Sequence, residues 1–393
     1  MLPGIGVFGT GNIVKVVVPF LREKGFKIEA LWGRTLLEAE EISKELDIPF
    51  HTNKIDDVLL RKDVDLIFII CSPNLHSQIA VKALGIGKHV LCDKPSGLCQ
   101  SEALKMVRAS QYYPSLISIV NHSLRFLPAF SQMRKAIVDG YLGQENEITV
   151  VDVRVQMGSL LHDSYDWLCD ETMGGGVLTL VGSHVIDLVS FLTTQRAVQV
   201  HGLVRTFTKN TEHIQGIRNI TSSDFCAFQM QMSKGTIVTV TLNTHIPGTF
   251  SQEVLVCGKL GYLIVRGGDL YGFKEGSQKE DVIYLDVEDL QRSVTMMNTV
   301  AANTIPRPYM KGLFKMMGAL REAFLPVEDK RGWVKEPVAL AATFEDGLYV
   351  QAVINALRKS NINKEWVKVS IITEEPDPNP ILSAAVRRSG ISI

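Results

Sequence analysis

The sequence predicts two domains: a doubly wound parallel α/β sheet over residues 1–121, then an α+β domain over 122–372 built on a large, mostly antiparallel, open-faced sheet, with a polar tail over 373–393. Three observations carry this reading. The first third alternates short apolar runs with amphipathic stretches of helical period, the pattern of parallel βα units. Farther on the runs lengthen and follow one another across tight turns such as Ser233-Lys234-Gly235, the pattern of hairpins. A chain of 393 residues also exceeds what one hydrophobic core usually serves.

In chain order, the apolar runs at 5–8, 28–32, 66–71, 90–92 and 116–120 read as strands buried on both faces. Between them, 36–46 sets apolar residues against a glutamate-rich outer face, and 78–84 stops at Gly85; both read as helices. A helix over 128–139 closes at Gly140. Beyond it, strands are expected at 147–155, 199–205, 224–232, 236–244, 253–257 and 263–266, with 267–281 a surface loop. Segments 177–192, 309–324 and 339–358 are the helices expected to cover one face of that second sheet. Glu375-Pro376-Asp377-Pro378-Asn379-Pro380 starts a tail with little to pack, although 381–386 is apolar enough to dock.

Composition narrows function by exclusion. With 41 basic residues against 42 acidic, a formal net charge of −1 gives no reason to expect nucleic acid or another polyanion as partner. No run is expected to reach the ~18 apolar residues of a membrane helix, so no membrane association is expected. The amino terminus lacks the basic, apolar and small-residue order of a signal peptide, and residues 5–8 run straight into a glycine turn. Cys71, Cys92, Cys99, Cys169, Cys226 and Cys257 form no C-x-x-C pair, so neither a zinc cluster nor another metal is expected. Reduced thiols in a cytoplasmic compartment are the simpler reading.

The glycine turn is Gly9-Thr10-Gly11-Asn12-Ile13-Val14, between the first strand and the first helix. In a dinucleotide-binding (Rossmann) turn the first glycine allows the bend, the second lets backbone approach a pyrophosphate, and helix amides face the phosphate oxygens. Val14 stands at the third glycine position, which loosens the expected helix–strand contact. A plain βα turn would share the motif, so the strand–turn–helix context carries the assignment. The second strand ends Trp32-Gly33-Arg34-Thr35, without the carboxylate that grips ribose hydroxyls. Arg34 could clamp a 2′-phosphate, leaning the cofactor, NAD(P), toward NADP; an exposed arginine near a helix start is the alternative. Ser72-Pro73-Asn74-Leu75-His76 follows the run at 66–71, and Pro73 must turn the chain there. Ser72, Pro73, Asn74 and His76 are therefore placed beside the nicotinamide, a hydrogen-bond partner at a helix start being the reading of His76 preferred to a catalytic one.

His89-Val90-Leu91-Cys92-Asp93-Lys94-Pro95 puts a lysine just past the next strand, at the edge where open α/β sheets collect ligands. Asp93 and Lys94 thus join the cofactor cleft, and Lys94 is suited to stabilise an alkoxide that develops as hydride leaves carbon. Gly174-Gly175-Gly176 leads into a helix bearing Leu180, His184 one turn beyond it on the same face, and Asp187. An imidazole aimed into the cleft could take the hydroxyl proton; without Lys94, a lone helical histidine would read as structural. Asn121 and Arg125 at the domain junction, with Tyr165 and Trp167 ahead of the triglycine, complete the substrate-side candidates. Arg125 serves equally well as a brace for the junction.

Together these segments resemble the family of glucose–fructose oxidoreductases, inositol dehydrogenases and rhizopine-catabolism proteins (Gfo/Idh/MocA), and within it the animal branch of glucose–fructose oxidoreductase domain-containing proteins. The resemblance spans nearly the whole chain. It includes Ala30-Leu31-Trp32-Gly33-Arg34-Thr35, Arg125-Phe126-Leu127-Pro128-Ala129-Phe130, Gly158-Ser159-Leu160-Leu161, Ser223-Asp224-Phe225 and Ala341-Ala342-Thr343-Phe344-Glu345-Asp346. Asp93-Lys94-Pro95 matches the family's Glu-Lys-Pro with one methylene fewer. His184 matches the family histidine, while Leu180 stands at its aspartate.

The resemblance implies an NAD(P)-dependent oxidoreductase acting on a hydroxyl of a sugar, sugar acid, cyclitol or sugar nucleotide, with Lys94 polarising the oxygen and His184 as acid/base. It also implies a homodimer or homotetramer formed through the second domain's sheet. Two alternatives stay open. One is a redox-neutral conversion of a sugar nucleotide on retained NAD(P): oxidation, then decarboxylation or elimination, then re-reduction. The other is a nucleotide-binding scaffold without chemistry, which Val14 and Leu180 support. The vertebrate branch's link with secretion makes export the alternative to a cytoplasmic location.

Overall fold

Strand β1 (Gly4–Phe8) lies inside a seven-stranded sheet, and the chain departs from it in both directions. The computed structural model describes residues 2–143, 147–212, 214, 219–248, 250–287, 305–325 and 335–375. It sets β2 (Lys27–Trp32) and β3 (His51–Thr52) on one side of β1, and β4 (Leu66–Ile69), β5 (His89–Asp93) and β6 (Ser118–Asn121) on the other. All six run parallel. Every residue of β4 is buried, so both faces need helices. Helix α1 (Asn12–Glu23) supplies Val14, Val17, Val18 and Leu21 to one face; α4 (His76–Gly85) and α5 (Gln100–Tyr112) supply Ile79, Ala80, Ala103 and Met106 to the other. Helices α2 (Leu36–Glu45) and α3 (Ile55–Leu59) complete the crossovers on the β2–β3 side. Strand order reverses between β1 and β4, the switch point where such sheets bind ligands.

Among the described residues the second sheet has nine strands, beginning with β7 (Ile148–Gln156), β8 (Ala197–Arg205), β9 (Phe225–Met232), β10 (Ile237–Asn243) and β11 (Ser251–Gly258), and it is antiparallel except where β7 and β10 run side by side in parallel. Period-two alternation decides its faces. Val151, Val153 and Val155 of β7 and Val238, Val240 and Leu242 of β10 point into the core. There they meet α6 (Pro128–Val138) and α7 (Ser183–Thr193) through Phe130, Met133, Val185 and Val189. The opposite face is open, with Val150 and Ile237 exposed.

Several expectations need correction. The stretch 267–281 is not a loop throughout: β12 (Gly261–Arg266) turns at Gly267, φ +63, into strand β13 (Asp269–Lys274). The Gly267-Gly268 turn signal and Gly272 inside the strand conceal it. Helix α8 (Arg307–Phe324), expected on the second sheet, packs on the first domain instead. Leu313, Met316 and Leu320 join Val17, Phe20 and Leu31, and Phe314 stacks on Phe20 at 4.1 Å. Ala342–Thr343 then adds a strand antiparallel to β6. The chain thus returns to its first domain after building most of its second, before α9 (Phe344–Asn363) lies between α5 and the second sheet. Finally, Glu171–Thr193 is long and apolar enough to cross a membrane, contrary to expectation, yet 94% of its most apolar window is buried inside the protein. The tail from residue 376, including the apolar 381–386, lies outside the described residues.

Candidate active site

Register places the predicted motifs along one sheet edge. Trp32, Phe8, Ile69 and Cys92 are level across β2, β1, β4 and β5, and Asp93 is level with Asn121 of β6. The residues just beyond, Gly9, Gly33, Cys71, Lys94 and His122, therefore line the carboxyl edge. Gly9 has φ +142, and a Cβ there would lie 2.7 Å from the Ile70 carbonyl oxygen, so the protein itself demands glycine. Gly11 differs. Its φ of −71 suits any residue, and a Cβ would meet nothing within 4 Å. The space in front of it is the cradle a pyrophosphate fits, facing the first turn of α1, which carries no acid.

Thr10 and Asn12 flank that cradle, while Ile13, in the first turn of α1, is partly buried against the core. At Gly33 a Cβ would approach Thr10 Cγ2 to 2.9 Å, so the second turn nests against the first only as glycine. Arg34 beside it is exposed, its side chain 77% accessible, and it pairs with Glu38 at 2.8 Å. Ser72 Oγ donates to Asn74 Oδ1 at 2.7 Å. His76 corrects its cofactor assignment: it is fully buried, with Nδ1 2.8 Å from Pro95 O and Nε2 2.9 Å from Cys71 O. It ties two edge turns together and presents nothing to a nucleotide.

The triglycine brings the second domain over this edge. A Cβ at Gly174 would press on Pro73 and Leu98 at 3.0 Å, one at Gly175 would lie 2.4 Å from Leu168 O, and one at Gly176, φ +100, would lie 2.7 Å from Ser223 N. Only glycines let the helix start this close. Leu178–Gly182 winds as a π-helix into α7, a local form frequent at functional sites. Lys94 Nζ donates to the Leu180 carbonyl at 2.9 Å, one turn before His184. Asn121 Nδ2 donates to Asp93 Oδ1 at 2.9 Å and so fixes the lysine's neighbour. Lys94 and His184 therefore converge. Burial draws the Lys94 ammonium below its usual value, against the pull of Asp93. Burial, then Lys94 and His122, hold the His184 imidazole well below its ordinary range.

Two groups the sequence did not single out complete the cluster. His122 meets the His184 ring edge-on at 5.5 Å between centroids, and Tyr309 of α8 does so at 5.1 Å. Both nitrogens of His122, Nδ1 of His184, the Tyr309 hydroxyl and Asn121 Oδ1 are buried without a protein partner. Such concentrations of unsatisfied polar atoms are uncommon outside functional sites. His122 adjoins a noted motif but carries no diagnostic spacing, and Tyr309 rides on the helix whose destination the sequence misplaces.

Two other substrate-side candidates are also relocated. Arg125 is spent as a brace: Nε and Nη2 contact Asp187 at 2.8 and 2.5 Å, Nη2 lies 3.1 Å from Asp346, and Nη1 donates to Leu340 O at 3.3 Å. Tyr165 packs with the satellite cluster of Cys169, Ile214 and Ile220. Trp167 is half-buried at the start of a 3-10 turn capped by Asp166.

A glycine cradle at a switch point, with a lysine and a histidine closing over the same edge, defines the class: two-domain, dinucleotide-binding proteins of the oxidoreductase type. Comparison with known proteins agrees. Residues 4–119 match the oxidoreductase family with NAD-binding Rossmann fold, and 130–264 match the GFO/IDH/MocA C-terminal domain. The chain is 49% identical to glucose-fructose oxidoreductase domain-containing protein 1 of Xenopus tropicalis and 46% identical to domain-containing protein 2 of Homo sapiens, covering 100% of both partners each time. The chain belongs to the Gfo/Idh/MocA family, whose first domain binds NAD. Among solved structures, levoglucosan dehydrogenase in complex with NADH and levoglucosan superposes with a TM-score of 0.76 at 16% identity, covering 94% of this chain and 100% of that one. An oxidoreductase domain protein from Kribbella flavida gives 0.76 at 20%, covering 94% and 99%. At these identities the shared property is the fold.

Proposed function

We propose that this protein is an NAD(P)-dependent oxidoreductase acting on a hydroxyl of a sugar, sugar acid, cyclitol or sugar nucleotide. The observation that carries the reading is the convergence of Lys94 and His184 through the Leu180 carbonyl, at the edge that also holds the Gly11 cradle. Gly9, Thr10, Gly11 and the α1 amides would hold the pyrophosphate, with Ser72 and Asn74 farther along the same edge. A bound nicotinamide supplies the hydride acceptor. Lys94 polarises the substrate oxygen, and Lys94 and His184 together manage its proton. Arg34, exposed at the end of β2 with no carboxylate in the ribose position, supports a preference for NADP. The open second sheet, with Val150 and Ile237 exposed, suits self-association as a homodimer or homotetramer.

The test is purification of the full chain, identification of any nucleotide retained, and a panel of aldoses, sugar acids, cyclitols and sugar nucleotides assayed with NAD and NADP. Lys94→Ala is expected to abolish turnover while leaving nucleotide binding nearly intact. Loss of nucleotide binding would reassign that lysine, and no turnover of any panel member by nucleotide-loaded protein would favour a scaffold.

A further inference from the structure

Helix α9 is bolted to the second sheet and reaches back to the first domain. Tyr349 Oη accepts from Ala197 N at 2.9 Å, Ser360 Oγ from Gly202 N at 3.0 Å, and Asn361 Oδ1 from Val204 N at 3.0 Å, so β8 holds it along its length. On one face of α9, at spacings of four and then seven residues, stand Gly347, Gln351 and Arg358. A Cβ at Gly347 would overlap Ser96 Oγ, so only glycine lets the turn after Lys94 rest on the helix. Gln351 is buried and donates from Nε2 to Gly97 O at 2.6 Å. Gly97 N in turn donates to Pro95 O at 2.8 Å, the oxygen that His76 also contacts. Two turns on, Arg358 Nη2 donates to Thr179 Oγ1 at 3.2 Å, while its Nε forms an ion pair with Glu171 Oε1 at 3.2 Å. Thr179 is buried in the π-helix, one residue before Leu180. A carboxamide in a core helix costs free energy unless it is bonded. Here both polar side chains are bonded to the two segments that meet at Lys94.

Lys94 follows a strand of the first domain and Leu180 belongs to the second, so their 2.9 Å contact crosses the junction. A flexible lysine stem does not by itself fix such a contact. We propose that α9 sets it, with Gln351 and Arg358 as positioning residues that act through Gly97 and Thr179. The catalytic consequence rests on the oxidoreductase reading above, in which Lys94 meets the substrate oxygen; α9 is the element that delivers both partners there. The two side chains stand about 10 Å apart along one helix, each gripping the segment that carries one partner. Displacing either segment lengthens the bond from Lys94 Nζ to Leu180 O. That oxygen accepts from the ammonium and steadies the charged form, so a longer bond lowers the pH at which Lys94 titrates. The titratable groups that reach Lys94 are Asp93, His122 and His184, and none of them lies on α9.

The full-length protein, isotope-labelled at lysine, is titrated by NMR, with Lys94→Arg assigning the Lys94 signal. Thr179→Val keeps the shape of the side chain and removes its hydroxyl. Arg358→Met removes the same bond from the helix side, and Gln351→Met removes the bond to Gly97. Each should lower the Lys94 titration by roughly half a unit or more. Thr179→Ser, which retains the hydroxyl, should leave it in place. Ile354→Val trims a core side chain between the two bonds and should lower the melting temperature alone. A Lys94 signal unmoved in folded Thr179→Val and Gln351→Met overturns the proposal, as does an equal shift in Ile354→Val. With any panel member that turns over, Thr179→Val and Gln351→Met should lower kcat by about tenfold and change KM by less than ~threefold. A raised KM with kcat unchanged also overturns the proposal. Absence of turnover with every panel member, with the Lys94 shifts as expected, defeats the oxidoreductase reading while supporting the clamp.

Discussion

Replacing Arg125 with methionine separates the two roles its sequence position allows. The guanidinium and Asp187 are both buried, joined by two hydrogen bonds of 2.8 and 2.5 Å, with Asp346 at 3.1 Å on the same nitrogen. Arg125→Met leaves the Asp187 carboxylate in the core without a counter-ion, and breaking a buried pair in this way costs about 3–5 kcal/mol. Asp346 keeps Arg196 at 3.0 Å, so the loss centres on Asp187. Removing both charges, as Arg125→Met with Asp187→Leu, should restore most of the stability, because an apolar pair of similar volume has no desolvation cost to repay. Urea unfolding of the four proteins gives the coupling energy directly. With a slope near 3 kcal/mol/M, a loss of about 4 kcal/mol moves the midpoint by roughly 1.3 M. Asp187 lies on α7 three residues past His184, so Arg125→Met should also depress kcat by loosening that helix. A variant as stable as the parent, with KM raised and kcat unchanged, would refute the brace and return Arg125 to the substrate.

Gly11→Val should fold with stability within ~0.5 kcal/mol of the parent, since its Cβ meets no protein atom, yet lose nucleotide affinity by about tenfold or more; isothermal titration with NAD and NADP checks both cofactors. Arg34→Ala should weaken NADP more than NAD, and equal weakening removes the 2′-phosphate assignment. Burial pulls His89 down to about 4, and its Nδ1 accepts from the Ile117 amide at 2.9 Å. The unfolded chain takes up this proton near pH 6.5 and the native state only near 4, so stability should fall across that window as pH drops, by roughly 3 kcal/mol for this group. His89→Gln should flatten the dependence in urea melts between those pH values.

Burial on two faces explains why the first domain was legible. A strand such as β4, apolar at every position, leaves few other readings, and right-handed crossovers then fix which turns share an edge. That logic puts the glycine turn and Lys94 on one edge. It could not place α8, because a helical period tells which face is buried and not against what. With α8 misplaced, Tyr309 was invisible to sequence reasoning, and His122 alone had nothing to distinguish it. Arg125 stayed ambiguous for a related reason: its partners, Asp187 and Asp346, sit on two helices far along the chain, and only packing brings them to one guanidinium.

Leu180 shows the limit most sharply. As a side chain at the family's aspartate position it supports the scaffold alternative, yet the structure gives its backbone a different part. The acceptor for Lys94 is its backbone oxygen, which any residue would supply, so the sequence carries no mark of the contact. The π-helical winding of Leu178–Gly182 occurs in the very segment that holds this acceptor. The missing acid therefore leaves the lysine anchored and removes support only from the histidine. That asymmetry separates the surroundings of the two groups: Lys94 has a hydrogen-bond acceptor and an adjacent carboxylate for its charged form, while His184 is flanked by the rings of His122 and Tyr309.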